Sequence, residues 1–293
     1  MRGVSWIVGA LCLLVWGCGD DEVVPSGPVS RSLELQVSVP SLANPEELAS
    51  QPIASAVGLF SRDLAGNVGT LLNNTPAAYN GYKWYLKGLE SVQLGADSLT
   101  VYGYYPYDAT WAENEELVVV SGNTDYLYGQ HDLMNRGYIH VGQPLAHLKM
   151  NHALACLSFD LRSILQQGKR VTKVQLRGNL VEDRPVGRAY LNIVTGELSP
   201  IASLTTTLTA EISRDGSMAT LYMIPCEQVE IWIGMEINGN MMWVSRKDFD
   251  MATGKLYNFL LDYDVKEENM VIREMKIEDW NLGPEVDLGD QRV

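Results

Sequence analysis

Basic residues are scarce in this chain: 22 Lys and Arg stand against 36 Asp and Glu over 293 residues, a formal net charge of −14. No stretch gathers Lys and Arg into the patch that phosphate binding needs, which argues against nucleic acid as a partner. Catalytic signatures are absent too. There is no GxSxG, GxGxxG, P-loop, HExxH or EF-hand loop. The four histidines, His131, His140, His147 and His152, follow no common ligand spacing, and Asp248 with Asp250 lacks the further oxygen donors that calcium requires. No metal, cofactor or enzymatic activity is therefore expected. Cysteine is sparse, at four residues with no CxxC pair.

The N-terminus is informative. Arg2, an apolar run from Val4 to Trp16, and Gly17 before Cys18 have the layout of a secretory signal. The run falls short of the roughly 20 residues that span a bilayer, and Gly19-Asp20-Asp21-Glu22 follows it. Residues 1–17 are thus expected to be removed, which takes Arg2 and no acid and moves the net charge from −14 to −15. Val15-Trp16-Gly17-Cys18 resembles a lipobox, making Cys18 the expected lipidation site. Several acyl chains at about 0.8 kcal/mol per buried methylene give a durable anchor in the outer membrane. Cys12 leaves with the signal, so Cys156 and Cys226, both in apolar runs, are read as buried free thiols, with a disulfide as the alternative. Residues 18–31, rich in Pro, Gly and Ser over Val23 to Ser30, read as a flexible tether.

Beyond the tether the chain reads as all-β. Leu33, Leu35, Val37 and Val39 alternate with polar residues, the period of a half-buried strand, and Pro40 stops it. Further short runs predict strands: 54–60, 98–105, 116–120, 153–161, 171–180, 230–237, 241–245, 256–263 and 271–277. Turn residues such as Asn80-Gly81, Ser121-Gly122, Asp215-Gly216 and Asn238-Gly239 punctuate the chain. Asn238-Gly239 is the strongest hairpin signal. Helical turns are expected only over 45–49 and 161–167. A chain of this length and pattern predicts two tandem β-sandwiches, over 32–146 and 147–293.

Several segments, in order, resemble the fimbrillin family, the lipoprotein pilins of type V fimbriae. They are Leu99-Thr100-Val101-Tyr102-Gly103-Tyr104-Tyr105-Pro106-Tyr107, Asp132-Leu133-Met134, Leu148-Lys149-Met150-Asn151-His152-Ala153-Leu154-Ala155, Gly254-Lys255-Leu256-Tyr257-Asn258-Phe259-Leu260-Leu261 and Ile277-Glu278-Asp279-Trp280. Met150 stands where an aromatic is more usual. The resemblance implies Greek-key, transthyretin-like sandwiches and assembly with other fimbrial subunits by donor-strand exchange. In that exchange the first strand leaves after proteolysis and a neighbour's strand fills its groove. Leu33, Leu35, Val37 and Val39 would then be the plug. Between Pro40 and Pro52 there is no Arg or Lys to cut at. The nearest candidates are Arg31, before the strand, and Arg62, after the next one, which favours an anchor or accessory subunit over a stalk subunit.

Asp97-Ser98-Leu99 resembles an O-glycosylation acceptor centred on Ser98. The alternative to polymerisation is a stand-alone surface lipoprotein that binds host glycan or protein through the Tyr102–Tyr107 cluster, although aromatic residues are also ordinary strand formers. The tail after Trp280 carries Gly283, Pro284 and Gly289, which make it a poor strand.

Overall fold

A computed structural model describes residues 30–40, 56–67, 69, 71–80, 83–111, 116–178, 187–201, 207–281 and 285–288. The expected signal sequence, Cys18, most of the expected tether and the turn expected over 45–49 lie outside them. The described chain is all-β, with two short helices, α1 (Leu133–Arg136) and α2 (Arg162–Gln166), the second where a helical turn is expected. No helix among the described residues is long and apolar enough to cross a membrane.

The largest sheet has eight strands in the order β22-β2-β10-β9-β7-β3-β4-β5. In chain order these are β2 (Glu34–Pro40), β3 (Val57–Asp63), β4 (Thr75–Tyr79), β5 (Trp84–Leu86), β7 (Leu99–Tyr105), β9 (Leu127–His131), β10 (Leu145–His152) and β22 (Glu285–Leu288). It curls until β5 approaches β2, the second strand from the opposite end. Alternating side chains of its strands, including Val37, Leu59, Val101, Leu148 and Met150, enclose one core. A short pair, β1 (Arg31–Ser32) with β6 (Gln93–Leu94), continues the start of β2.

The other face of that sheet carries Phe60, Tyr102 and Tyr104. These pack on a three-stranded sheet of β8 (Glu116–Val120), β13 (Arg188–Asn192) and β14 (Leu198–Ile201). This small sheet joins β8 from the first half of the chain to β13 from the second.

Beyond it, two sheets face each other over a third cluster. One holds β16 (Glu211–Ile212), β17 (Met218–Met223), β11 (Ala155–Asp160), β20 (Lys255–Asp264) and β21 (Asn269–Asp279). The other holds β15 (Leu208–Thr209), β12 (Val171–Gly178), β18 (Cys226–Ile237) and β19 (Asn240–Met251). Phe159, Phe259 and Leu261 from the first meet Val174, Ile231, Ile233 and Met235 from the second. Asn238 and Gly239, with φ of 51° and 86°, close the β18–β19 hairpin, the positive φ pair that an Asn-Gly turn supplies.

β10 and β11 are separated by Ala153 and Leu154 alone, so one nearly continuous extended run serves the first and third cores. Residues 146 and 147, between which the sequence reading divides the chain, are consecutive in β10.

Candidate functional site

The N-terminal strand β2 occupies an interior place in its sheet. It runs parallel to β10, with Val37 opposite Leu148, and antiparallel to the C-terminal β22, with Val39 opposite Val286. Two strands from opposite ends of the chain therefore lie side by side. Val37 is fully buried, Val39 is 4% exposed, and Leu33 and Leu35 pack partly buried against the same core. The four alternating positions point to one core, as their period of two requires.

The reading of β2 as half-buried needs correction. Its polar positions Gln36 and Ser38 are buried as well, because the strand is enclosed on both faces from Gln36 onward. Buried polar groups need partners, and Ser38 has one: its Oγ lies 3.1 Å from His147 Nε2 on β10. The His147 backbone N–H donates to His131 Nδ1 at 3.0 Å, leaving the proton on His131 Nε2, which donates to the Gly137 carbonyl at 2.8 Å. Burial holds the His131 pKa below its ordinary value, so the ring stays neutral. This polar chain runs from β2 through β10 to the end of α1.

The tail also departs from expectation. The residues between Pro284 and Gly289 do form a strand, β22, because Pro and Gly flank the four paired residues rather than interrupting them.

A second polar node lies where β2 ends. His152, the last residue of β10, presents Nδ1 to the Asp125 carboxylate at 2.9 Å and Nε2 to the Pro40 carbonyl at 2.9 Å. Its ring stacks on Trp280, with centroids 3.4 Å apart and planes at 12°, and Trp280 stacks in turn on Tyr222. Its backbone is bracketed by one side-chain amide. The His152 N–H donates to Asn281 Oδ1 at 2.7 Å, and Asn281 Nδ2 donates to the His152 carbonyl at 3.2 Å.

Gly254 makes room for that amide. It sits at φ +66°, and a Cβ there would lie 2.0 Å from Asn281 Nδ2. Its N–H donates to the Leu154 carbonyl and its own carbonyl accepts from Trp280 N–H. Three segments on which the family resemblance rests thus meet at one point, through His152 with Leu154, Gly254 and Trp280.

The remaining candidates are dispersed. Arg31 is exposed in β1, in a two-residue ladder with β6. Arg62 lies within β3, opposite Thr100 of β7, with its guanidinium over the Tyr102 ring. Ser98 is half-buried just before β7. Tyr104, in the cluster considered for glycan stacking, is fully buried. Its ring fills the space a Gly58 side chain would need, so it is a core residue and no stacking platform. Cys156 is buried and Cys226 half-buried, and no disulfide joins them. His140 turns its Nδ1 to the Gly142 N–H. Among the described residues no three His, Cys, Asp or Glu side chains gather to hold a metal.

Asp125 and Asn281 carry no signal in the sequence. Neither lies in a recognisable pattern, and each becomes significant only through a contact with His152 across 27 or 129 residues.

Among curated proteins none matches this chain. The fold is similar to that of a candidate cell adhesion protein from Bacteroides uniformis, at a TM-score of 0.62 and 14% identity, covering 87% of this chain and 99% of that one. A second candidate cell adhesion protein, from Bacteroides ovatus, aligns at a TM-score of 0.61 and 14% identity, with coverage of 85% and 98%. A fimbrial assembly protein from Parabacteroides distasonis aligns at 0.44 and 11% identity, with coverage of 88% and 99%. The fimbrillin-like family model matches residues 66–280, and the chain belongs to that family.

Proposed function

We propose that the protein is a fimbrial subunit, of the anchor or accessory kind, held at the outer membrane through lipid on Cys18 and joined to other subunits by strand exchange. The observation that carries this reading is the seat of β2. A terminal strand with its side chains in the core, parallel to β10 along one edge, is a replaceable element: its removal leaves an apolar groove and unpaired backbone groups. An incoming strand restores both, with main-chain bonds giving strength and alternate side chains giving register. Leu33, Leu35, Val37 and Val39 are the plug, and β22 is the segment available for donation.

Processing at Arg31 frees the lipidated segment and keeps the plug. Processing at Arg62 removes β2 with most of β3. The chain has no basic residue between Pro40 and Pro52, and this supports retention of the first strand. An adhesive role at the cell surface is supported by membership of the family and by the candidate adhesion proteins whose fold it shares.

The test is intact mass with N-terminal sequencing of the protein from whole cells. A species that begins at lipidated Cys18 and co-purifies with fimbrial subunits is expected. A mature species lacking residues 34–40 defeats the anchor reading. Full-length lipidated protein that never associates with another subunit defeats the fimbrial one.

A further inference from the structure

His152 faces two acceptors. One ring nitrogen meets the Asp125 carboxylate, and the other meets the carbonyl of Pro40, the last residue of β2. Neither partner can donate, so both contacts are hydrogen bonds only when both ring nitrogens carry protons. The imidazolium fills the site; a neutral ring leaves one nitrogen lone pair against an oxygen. The same residue is tied by stacking and by the Asn281 amide to the segment leading into β22. Its ring is almost wholly removed from solvent, with a side-chain exposure of 4%.

We infer that His152 is a proton-dependent clasp that holds the two terminal strands, β2 and β22, in place together. The clasp stands on the fold alone and needs no exchange between subunits. In the cationic state it bonds the end of β2 and neutralises Asp125. Loss of the proton weakens the Pro40 contact, the Asp125 contact, or both, at the end of β2 and beside Trp280 and Asn281, which precede β22 in sequence.

The titratable groups around the ring leave this balance to Asp125. Burial pushes up both the Tyr222 phenol, stacked beyond Trp280, and the Cys156 thiol on β11, so both stay neutral. Lys255 and Asp279, next to Trp280, pair with each other.

The test is peptide-resolved amide hydrogen exchange on the full chain, corrected for intrinsic chemistry, at about pH 5.5 and about pH 8, which bracket the ordinary histidine range. Losing one charge-assisted hydrogen bond corresponds to roughly tenfold in a local opening equilibrium. Exchange in 34–40 and 285–288 is expected to rise by about that factor between the lower and the higher pH, while β12, β18 and β20 show no such rise. His152→Asn should show the faster exchange at both pH values.

Should that variant fail to fold, Asp125→Asn keeps the ring and removes the carboxylate, and the pH dependence in 34–40 should shrink. Faster exchange spread evenly over all sheets would mean a general packing role and overturn the proposal. So would a change confined to one terminal strand, or no pH dependence in either.

Discussion

The Tyr104 hydroxyl donates to Asn74 Oδ1 at 2.7 Å and accepts from the Asp108 N–H at 3.1 Å, pinning the turn after β7 to the start of β4. Burial raises the Tyr104 pKa to about 12, so the phenol stays protonated at any working pH. Tyr104→Phe keeps the ring and strands both partners. A loss of about 1–3 kcal/mol in unfolding free energy is expected by urea denaturation. Removal of an exposed stacking ring would leave stability unchanged.

Leu148 is the β10 partner of Val37 and is fully buried. Leu148→Ala removes the floor beneath the first strand and leaves a cavity, with an expected cost of about 2–5 kcal/mol. Hydrogen exchange should place the damage in β2, β9 and β10, and leave the core of Phe159 and Phe259 protected.

Two buried groups, His131 and Asp262, contribute to the acid limb of stability. His131 is depressed below its ordinary 6.5, so the unfolded chain takes up a proton first; stability is full above that value and falls as pH drops below it towards the folded pKa. Asp262 lies lower still. Burial alone would raise its pKa, but hydrogen bonds from Ser163, Arg273 and the Tyr263 N–H outweigh burial and hold it below the ordinary 3.8. Its contribution is present above that value and lost as pH falls through the folded pKa. A melting-temperature series should therefore show two declines, and His131→Gln should flatten the upper one while sparing the lower.

Arg31 and Arg62 differ in what a protease must first undo. Arg31 sits in a two-residue ladder, and Arg62 in a strand paired over six positions with β7. Limited trypsin digestion is expected to cut after Arg31 well before Arg62, since local opening of β1 breaks few bonds. Mass spectrometry of the early fragments checks the order.

Residue pattern made much of the fold legible. Leu33 to Val39, the 116–120 strand, the Asn238-Gly239 hairpin and the 161–167 turn each announce themselves through local period or turn chemistry, and each is present. β10 was harder. Leu145 to His152 alternates from Leu148 onward, but His147 and His152 are buried against distant partners, so its polar residues do not mark one solvent face. The parallel β2–β10 pairing and the β2–β22 contact join residues more than a hundred positions apart, which no local pattern encodes. The His152 node is of the same kind: its parts are ordinary residues, and only the chain's return at Trp280 and Asn281 assembles them.

The parallel alignment of β2 with β10 has a mechanical consequence. Tension applied at the N-terminal end of β2, along its axis, strains the rungs to β10 in shear, so they share the load rather than failing one by one as in an unzipping hairpin. The rate of forced release is then set by a concerted rupture. A strand seated this way resists a steady pull far better than it resists peeling from its edge.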